Sequence, residues 1–224
     1  MRPGLCDAKA MSHPSTSVTR LSERQTRHRA ALDAVLDATP LAIVAFIRDG
    51  HPVALPIGFA RIGDELVIHG STGSAWLREL ADGAAVSVCV TLLDAITVAR
   101  SGFESSFRYR SAVLFGCFQP VGKADKDSYL QRLTDSFIPG RAAELRASTA
   151  RELAATLVLR LPIGAENWSL KVADGWPQDD EADVAAGGWA GVVPIVTGYG
   201  SPLRAPDCDP AVPVPASVAA MTGD

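Results

Sequence analysis

Residues 41–70, LAIVAFIRDGHPVALPIGFARIGDELVIHG, decide the fold. Leu41–Ile47 is an apolar run of strand length, and Arg48-Asp49-Gly50-His51 carries the residues of a tight hairpin turn. Val53–Phe59 reads as the return strand, and Gly63-Asp64 turns the chain again into Glu65–His69. Three short strands at hairpin spacing make an antiparallel meander, because a parallel βαβ unit needs a long crossover between strands.

C-terminal to the meander, Gly70–Ala81 breaks the strand series with a Gly/Ser/Thr loop and a short helical pattern through Trp76, Leu77 and Leu80. Val86, Val88, Val90 and Leu92 alternate with Ser87, Cys89 and Thr91, the period of two of a strand. Ala95–Ala99, Ser111–Pro120 and Leu157–Ile163 are further strand candidates. Asp125–Phe137 sets Tyr129, Leu130, Leu133 and Phe137 on one helical stripe, closed by Pro139-Gly140, and Thr149 with Glu152 forms a capping-box pattern. N-terminal to the meander, Ser22 with Gln25 has the same pattern, so one helix is expected from Glu23 to Asp37. Some six antiparallel strands with three helices point to a β-barrel with helical decoration, an α+β fold.

The domain expected is 21–200. Residues 1–20 lack apolar periodicity and 201–224 are rich in Pro and Ala, so both read as mobile tails. The chain has 224 residues, 21 Lys plus Arg against 25 Asp plus Glu, and a net charge of −4, which gives no global attraction for nucleic acid. No apolar run is long enough for a membrane span and no secretory leader is apparent, so a cytoplasmic location is expected. Cys6, Cys89, Cys117 and Cys208 form no C-x-x-C pair, and His13, His28, His51 and His69 have no zinc spacing, so no metal site is expected. G-x-S-x-G and Walker signatures are absent, which removes the common hydrolase and NTPase readings.

Three stretches could carry chemistry. His69-Gly70-Ser71-Thr72-Gly73-Ser74 joins a strand to a helix start, where free N–H groups and hydroxyls suit a phosphate; a self-capped helix is the competing reading. Phe103–Ser111 holds three aromatics and two arginines that could clamp a planar phosphorylated ligand, with Arg110 as the forked donor, although such residues also serve as a solvated barrel rim. Trp168, Trp176 and Trp189 fall within 22 residues, a density found in ligand walls, in interfaces and in plain packing.

Taken in order, His69-Gly70-Ser71, Tyr109-Arg110-Ser111, Pro139-Gly140-Arg141, Trp168-Ser169-Leu170-Lys171 and Trp189-Ala190-Gly191 resemble the flavin-nucleotide-binding branch of the pyridoxamine 5′-phosphate oxidase-like family, close to nitroimidazole-resistance proteins. The resemblance covers about residues 22–200. It implies an FMN-binding split barrel, a homodimer with FMN in clefts between subunits, and an oxidoreductase that moves hydride or electrons through the flavin N5 to or from a small molecule. Non-catalytic flavin or haem binding and a deazaflavin-dependent reductase share the fold. On this resemblance the cofactor would meet Pro56 and Ile57, the loop residues His69, Gly70, Ser71, Thr72 and Ser74, then Tyr109, Arg110 and Ser111, with Lys171 or Trp189 from the partner chain. Where related oxidases carry a basic pair after the loop serine, this chain has Ala75 and Trp76, which leaves Arg78, Arg110 or helix N–H groups to hold the phosphate.

Overall fold

The computed structural model describes residues 13–222. A 3-10 turn at Ser22–Arg24 leads into β1 (Gln25–Thr26), α1 (Arg29–Asp37), β2 (Leu41–Arg48), β3 (His51–Arg61), β4 (Glu65–Ser71) and α2 (Ala75–Ala81). Then come β5 (Ala85–Val98), β6 (Ser106–Cys117), β7 (Gln119–Pro120), α3 (Lys126–Phe137), α4 (Ala150–Ala155), β8 (Thr156–Pro162) and β9 (Trp168–Ala173). The described residues end with α5 (Glu181–Ala186), β10 (Gly191–Pro194) and α6 (Ala216–Thr222).

The ten strands of the described residues join one antiparallel sheet in the order β1-β9-β6-β5-β2-β3-β4-β8-β7, with β10 paired to the far half of β5. The sheet curls so that β8 returns to the end of β6. Asn167 holds this seam: its amide donates to Phe115 O at 2.8 Å and to Pro162 O at 3.0 Å. The expected barrel is therefore present as a split barrel, closed at one end by a side chain where no strand ladder continues.

Strand alternation fills the interior. Ala42, Val44 and Phe46 of β2, Val86, Val88 and Val90 of β5, and Ala112 and Leu114 of β6 are buried on one face. Helix α1 plugs this interior with Leu32, Val35 and Leu36, all at most 2% exposed. A second apolar layer lies on the other side of β3, β4 and β8, where Ala60, Val67 and Val158 meet Leu133, Tyr129, Leu130 and Phe137 of α3. Two polar ties fix α3 there. Tyr129 donates to Glu65 Oε2 at 2.6 Å, and Lys126 Nζ donates to Leu153 O and Thr156 O at 3.0 and 2.7 Å, satisfying carbonyls where α4 ends.

Several boundaries differ from the sequence expectations. The helix expected from Glu23 starts at Arg29, because Gln25 does not cap it: its side chain accepts from Val18 N and donates to Thr16 O and Ser169 Oγ, while its backbone joins β9 opposite Lys171. The two strands expected at 86–92 and 95–99 are one strand, β5, with a bulge at Asp94. Strand β6 begins at Ser106, five residues earlier than expected. The Thr149–Glu152 capping box forms with both reciprocal bonds. Within the terminal segments read as tails, Thr16 is buried and accepts from Arg27 Nη2 at 2.9 Å, and Ser217 of α6 is buried against Glu144. Cys6 lies outside the described residues, and Cys89, Cys117 and Cys208 form no disulfide among those described. Among the described residues no helix is long and apolar enough to cross a membrane.

Candidate cofactor site

The outer face of β2, β5, β6 and β9, with the first half of β3, is left open by the helices, whereas α3 covers the outer face of β3 at Gly58 and Ala60. Register places Pro56 opposite Ile43, Ile43 opposite Cys89, Thr91 opposite Ser111, and Ser111 opposite Lys171. Paired residues point the same way, so these side chains share that face. Leu41, Ile43 and Leu93 lie on it at 53%, 37% and 48% exposure. Amid them, the Thr91 and Ser111 hydroxyls are bonded to each other at 2.8 Å, and Cys89 Sγ lies 3.5 Å from Thr91 Oγ1. Tyr109, opposite Leu93, continues the same face. The result is a flat apolar surface with hydroxyls and one ammonium, Lys171, along one side. Of the two β3 residues expected to meet a cofactor, Pro56 is on this face, whereas Ile57 pairs with buried Ala42 and packs against the interior.

The groups expected to grip a phosphate are largely engaged within the protein. Arg110 Nε and Nη2 donate to the two Asp94 oxygens at 3.0 and 2.7 Å, and this pairing raises the guanidinium pKa. In the loop after β4, Thr72 N donates to Ala155 O, Gly73 N to Ser71 Oγ, and Ser74 N to Ser71 O. The Thr72 hydroxyl also donates to Ala155 O, while Arg78 Nη1 donates to Thr72 O at 2.8 Å. The loop is thus bonded to itself and to Ala155, while Ser74, the N-cap of α2, makes no side-chain capping bond. Gly70 serves packing: a Cβ there would run into Leu77 Cδ1 of α2, a core side chain 2% exposed.

His69 stands apart from the loop that follows it. It pairs with Val158 of β8 and lies on the side of the sheet covered by α3, where it lines a cavity of about 180 Å³ with Leu130, Leu133, Thr134, Phe137 and Ile138. Its Nδ1 is buried without a hydrogen-bond partner, and burial lowers its pKa below the ordinary histidine value. The imidazole is thus neutral near pH 7. A neighbouring recess of about 430 Å³ shares Leu130 and Thr134 and is edged by Arg146.

With this geometry in view, comparison with known proteins is informative. A family model described as pyridoxamine 5′-phosphate oxidase matches residues 28–167, well over half of the chain. The chain belongs to the pyridoxamine 5′-phosphate oxidase family. Its fold is similar to that of the FAD and haem binding protein from Mycobacterium smegmatis, with a TM-score of 0.88 and 64% identity covering 89% of this chain and 97% of that one. It is also similar to the flavocytochrome Anf3 from Azotobacter vinelandii, at TM-score 0.85 and 35% identity over 92% of this chain and 95% of that one. A candidate 5-nitroimidazole antibiotic resistance protein from Bacteroides thetaiotaomicron, at 15% identity and TM-score 0.56 over 66% of this chain and 86% of that one, shares the fold alone. No curated protein matches the chain.

Among the residues that the sequence reading assigned to the pyridoxamine 5′-phosphate oxidase-family site, the structure brings Pro56, Tyr109, Ser111 and Lys171 together on the open face. Arg110 is tied to the β5 bulge, the 70–74 loop closes on itself, and His69 faces α3. Trp189 is 68% exposed, with its ring packed over Gly191 at the start of β10. Sequence reasoning left out Thr91 and Cys89, which strand alternation had already set on the face away from the core, and it did not connect His69 with the α3 stripe. Arg108 and Trp176 also gained no role, although both belong to clusters noted in the sequence.

Proposed function

We propose that this chain is a redox protein of the pyridoxamine 5′-phosphate oxidase family that holds a flavin nucleotide on the open sheet face and a haem at His69. The observation that carries the reading is His69: a half-buried, neutral imidazole with an unpartnered nitrogen and apolar walls from α3 would hold a haem iron. The 180 Å³ recess is smaller than a macrocycle; Leu130 and Thr134, which also line the larger recess, would form part of the wall that holds it.

For the flavin, the flat surface around Pro56, Ile43 and Leu93 supports the ring system, and Thr91, Ser111 and Lys171 supply polar contacts at its edge. When bound, a flavin supplies hydride and one-electron exchange and a haem supplies one-electron exchange. The chain's own part is to orient them, exclude water and keep His69 unprotonated. The binding of both groups by the Mycobacterium smegmatis relative at 64% identity supports the assignment. FMN follows from the family resemblance, while FAD is the flavin named for that relative. The exposed Leu41, Ile43 and Leu93 suit burial against a second copy, so a homodimer that covers this face is part of the proposal.

Extraction of the cofactors from purified protein, with mass measurement and an absorption spectrum, tests the reading. FMN or FAD together with a Soret band supports it; protein that purifies colourless and takes up neither flavin nor haemin contradicts it. Light scattering at the mass of one 224-residue chain over a wide concentration range would remove the dimer.

A further inference from the structure

The entry to β6, the turn after β9 and the 3-10 turn at Ser22–Arg24 enclose a cavity of about 330 Å³, lined among others by Arg20, Arg24, Phe103, Glu104, Arg108 and Trp176. It shares no residue with the His69 recess. The guanidinium of Arg108 lies 4.8 Å over the Trp176 ring, and its Nε donates to Gly175 O at 3.2 Å. Its Nη2 is buried and has no acceptor. A charged N–H withdrawn from water without an acceptor is costly, which points to an anion that completes it. Arg20, Arg24 and Arg108 make no ion pair among the described residues, and Glu104 is the one carboxylate in the lining.

Charge alone would suit any small anion, but the aromatic walls narrow the choice. Phe103 and Trp176 are 92% and 70% exposed and leave ring surface uncovered at the cavity. An inorganic anion would use the arginines and waste both rings, whereas an uncharged aromatic would leave Arg108 Nη2 without an acceptor. A planar ring that carries a phosphate answers both, and the volume matches a small-ligand site.

We propose that this cavity binds a 5′-nucleotide unit, with its phosphate on Arg108, flanked by Arg20 and Arg24, and its base against Trp176 and Phe103. Two sources share this chemistry, a free nucleotide and the adenylate half of FAD. With a free nucleotide the site stands apart from the flavin and haem reading, and with the adenylate half of FAD it deepens and rests on that reading; nucleotide binding is measured with no flavin present, so the two can fail separately. The test titrates flavin-stripped, full-length protein with AMP and with adenosine, read by calorimetry and by tryptophan fluorescence. AMP is expected to bind at least tenfold tighter than adenosine. Arg108→Gln should erase that preference, and Trp176→Leu should weaken both ligands at least tenfold. A circular-dichroism melt of each variant identifies misfolding; if Arg108→Gln does not fold, Arg108→Lys, which keeps the charge but loses the fork, should retain part of the preference. Repetition with saturating FMN or FAD separates the sources: displacement of AMP by FAD but not by FMN assigns the adenylate half, and AMP binding beside both assigns a free nucleotide. Absence of AMP binding to folded, stripped protein, or a preference that survives intact in Arg108→Gln, would overturn the proposal.

Discussion

Arg110 is clamped by Asp94, the bulged residue of β5, through two hydrogen bonds of 3.0 and 2.7 Å. The pair closes the local distortion that lets β5 bend between its β2-paired half and its β10-paired half, and it commits the Nε–Nη2 edge of Arg110 to the bulge. Both side chains are more than a third exposed. Arg110→Ala should therefore cost less than about 1 kcal/mol, as exposed ion pairs do. It should also leave the ratio of FMN to riboflavin affinity unchanged. Urea unfolding and paired ligand titrations check the two halves, and collapse of the FMN preference would show that Arg110 leaves Asp94 when the ligand binds.

Gly70 and Leu77 are expected to be coupled. Since a Cβ at 70 meets Leu77 in the core, Gly70→Ala should destabilise the fold by about 1–3 kcal/mol, the usual cost of overpacking. Leu77→Ala makes room for the methyl group, so the double variant should be more stable than the sum of the single effects predicts. Four unfolding curves measure the cycle, and additive effects would mean that the loop yields instead of the core.

Protonation of His69 should weaken the cofactor-free protein. Burial lowers its folded pKa, so the unfolded chain takes up the proton first as pH falls past the ordinary value of about 6.5. Its contribution to stability is fully present above that value and is lost as pH falls from there toward the folded pKa. His69→Leu should flatten this part of the profile. Urea midpoints between pH 5 and 8 for both proteins test it; equal slopes would contradict the burial argument.

The C-terminal helix is latched by a carboxylate. Ser217 donates to Glu144 through its hydroxyl at 2.6 Å and its backbone N–H at 3.0 Å, and these bonds, with Arg141, hold the Glu144 pKa down to about 2. A depressed carboxylate contributes above its ordinary value near 4.5 and stops as pH falls to about 2. Protection of the α6 amides, taken relative to an unstructured chain at the same pH, should be high at pH 5, fall across that window, and be low throughout in Glu144→Gln. Equal exchange in the two proteins at pH 5 would mean that the latch does not hold the helix.

The parts of the fold legible in the sequence were those set by local chemistry. Asp49 and Gly50 both adopt positive φ, 51° and 76°, as the tight hairpin between β2 and β3 requires, and the meander follows from such turns. Local signals failed where distant residues intervened. Gln25 has capping-box spacing, yet its amide is taken by Thr16, Val18 and Ser169, so the helix starts later. Asp94 reads as a break between strands, and only the pairing of β6 with residues on both sides of it shows that one strand continues through it. For the site, the hydroxyls at 71 and 72 suggested an anion cradle, but Ala155, more than 80 residues away in the chain, completes the loop's own bonding. His69 acquires its character from α3, whose apolar stripe was visible without any sign of the strand it covers.

The most direct test of the redox assignment is the absorption spectrum of His69→Leu beside that of wild-type protein, both supplied with haemin and flavin and freed of excess. Wild type should show flavin bands together with a Soret band, and the variant should keep the flavin bands while its Soret band is lost or shifted to that of unligated haemin. A Soret band of unchanged position and intensity in a folded variant would contradict His69 as the iron ligand.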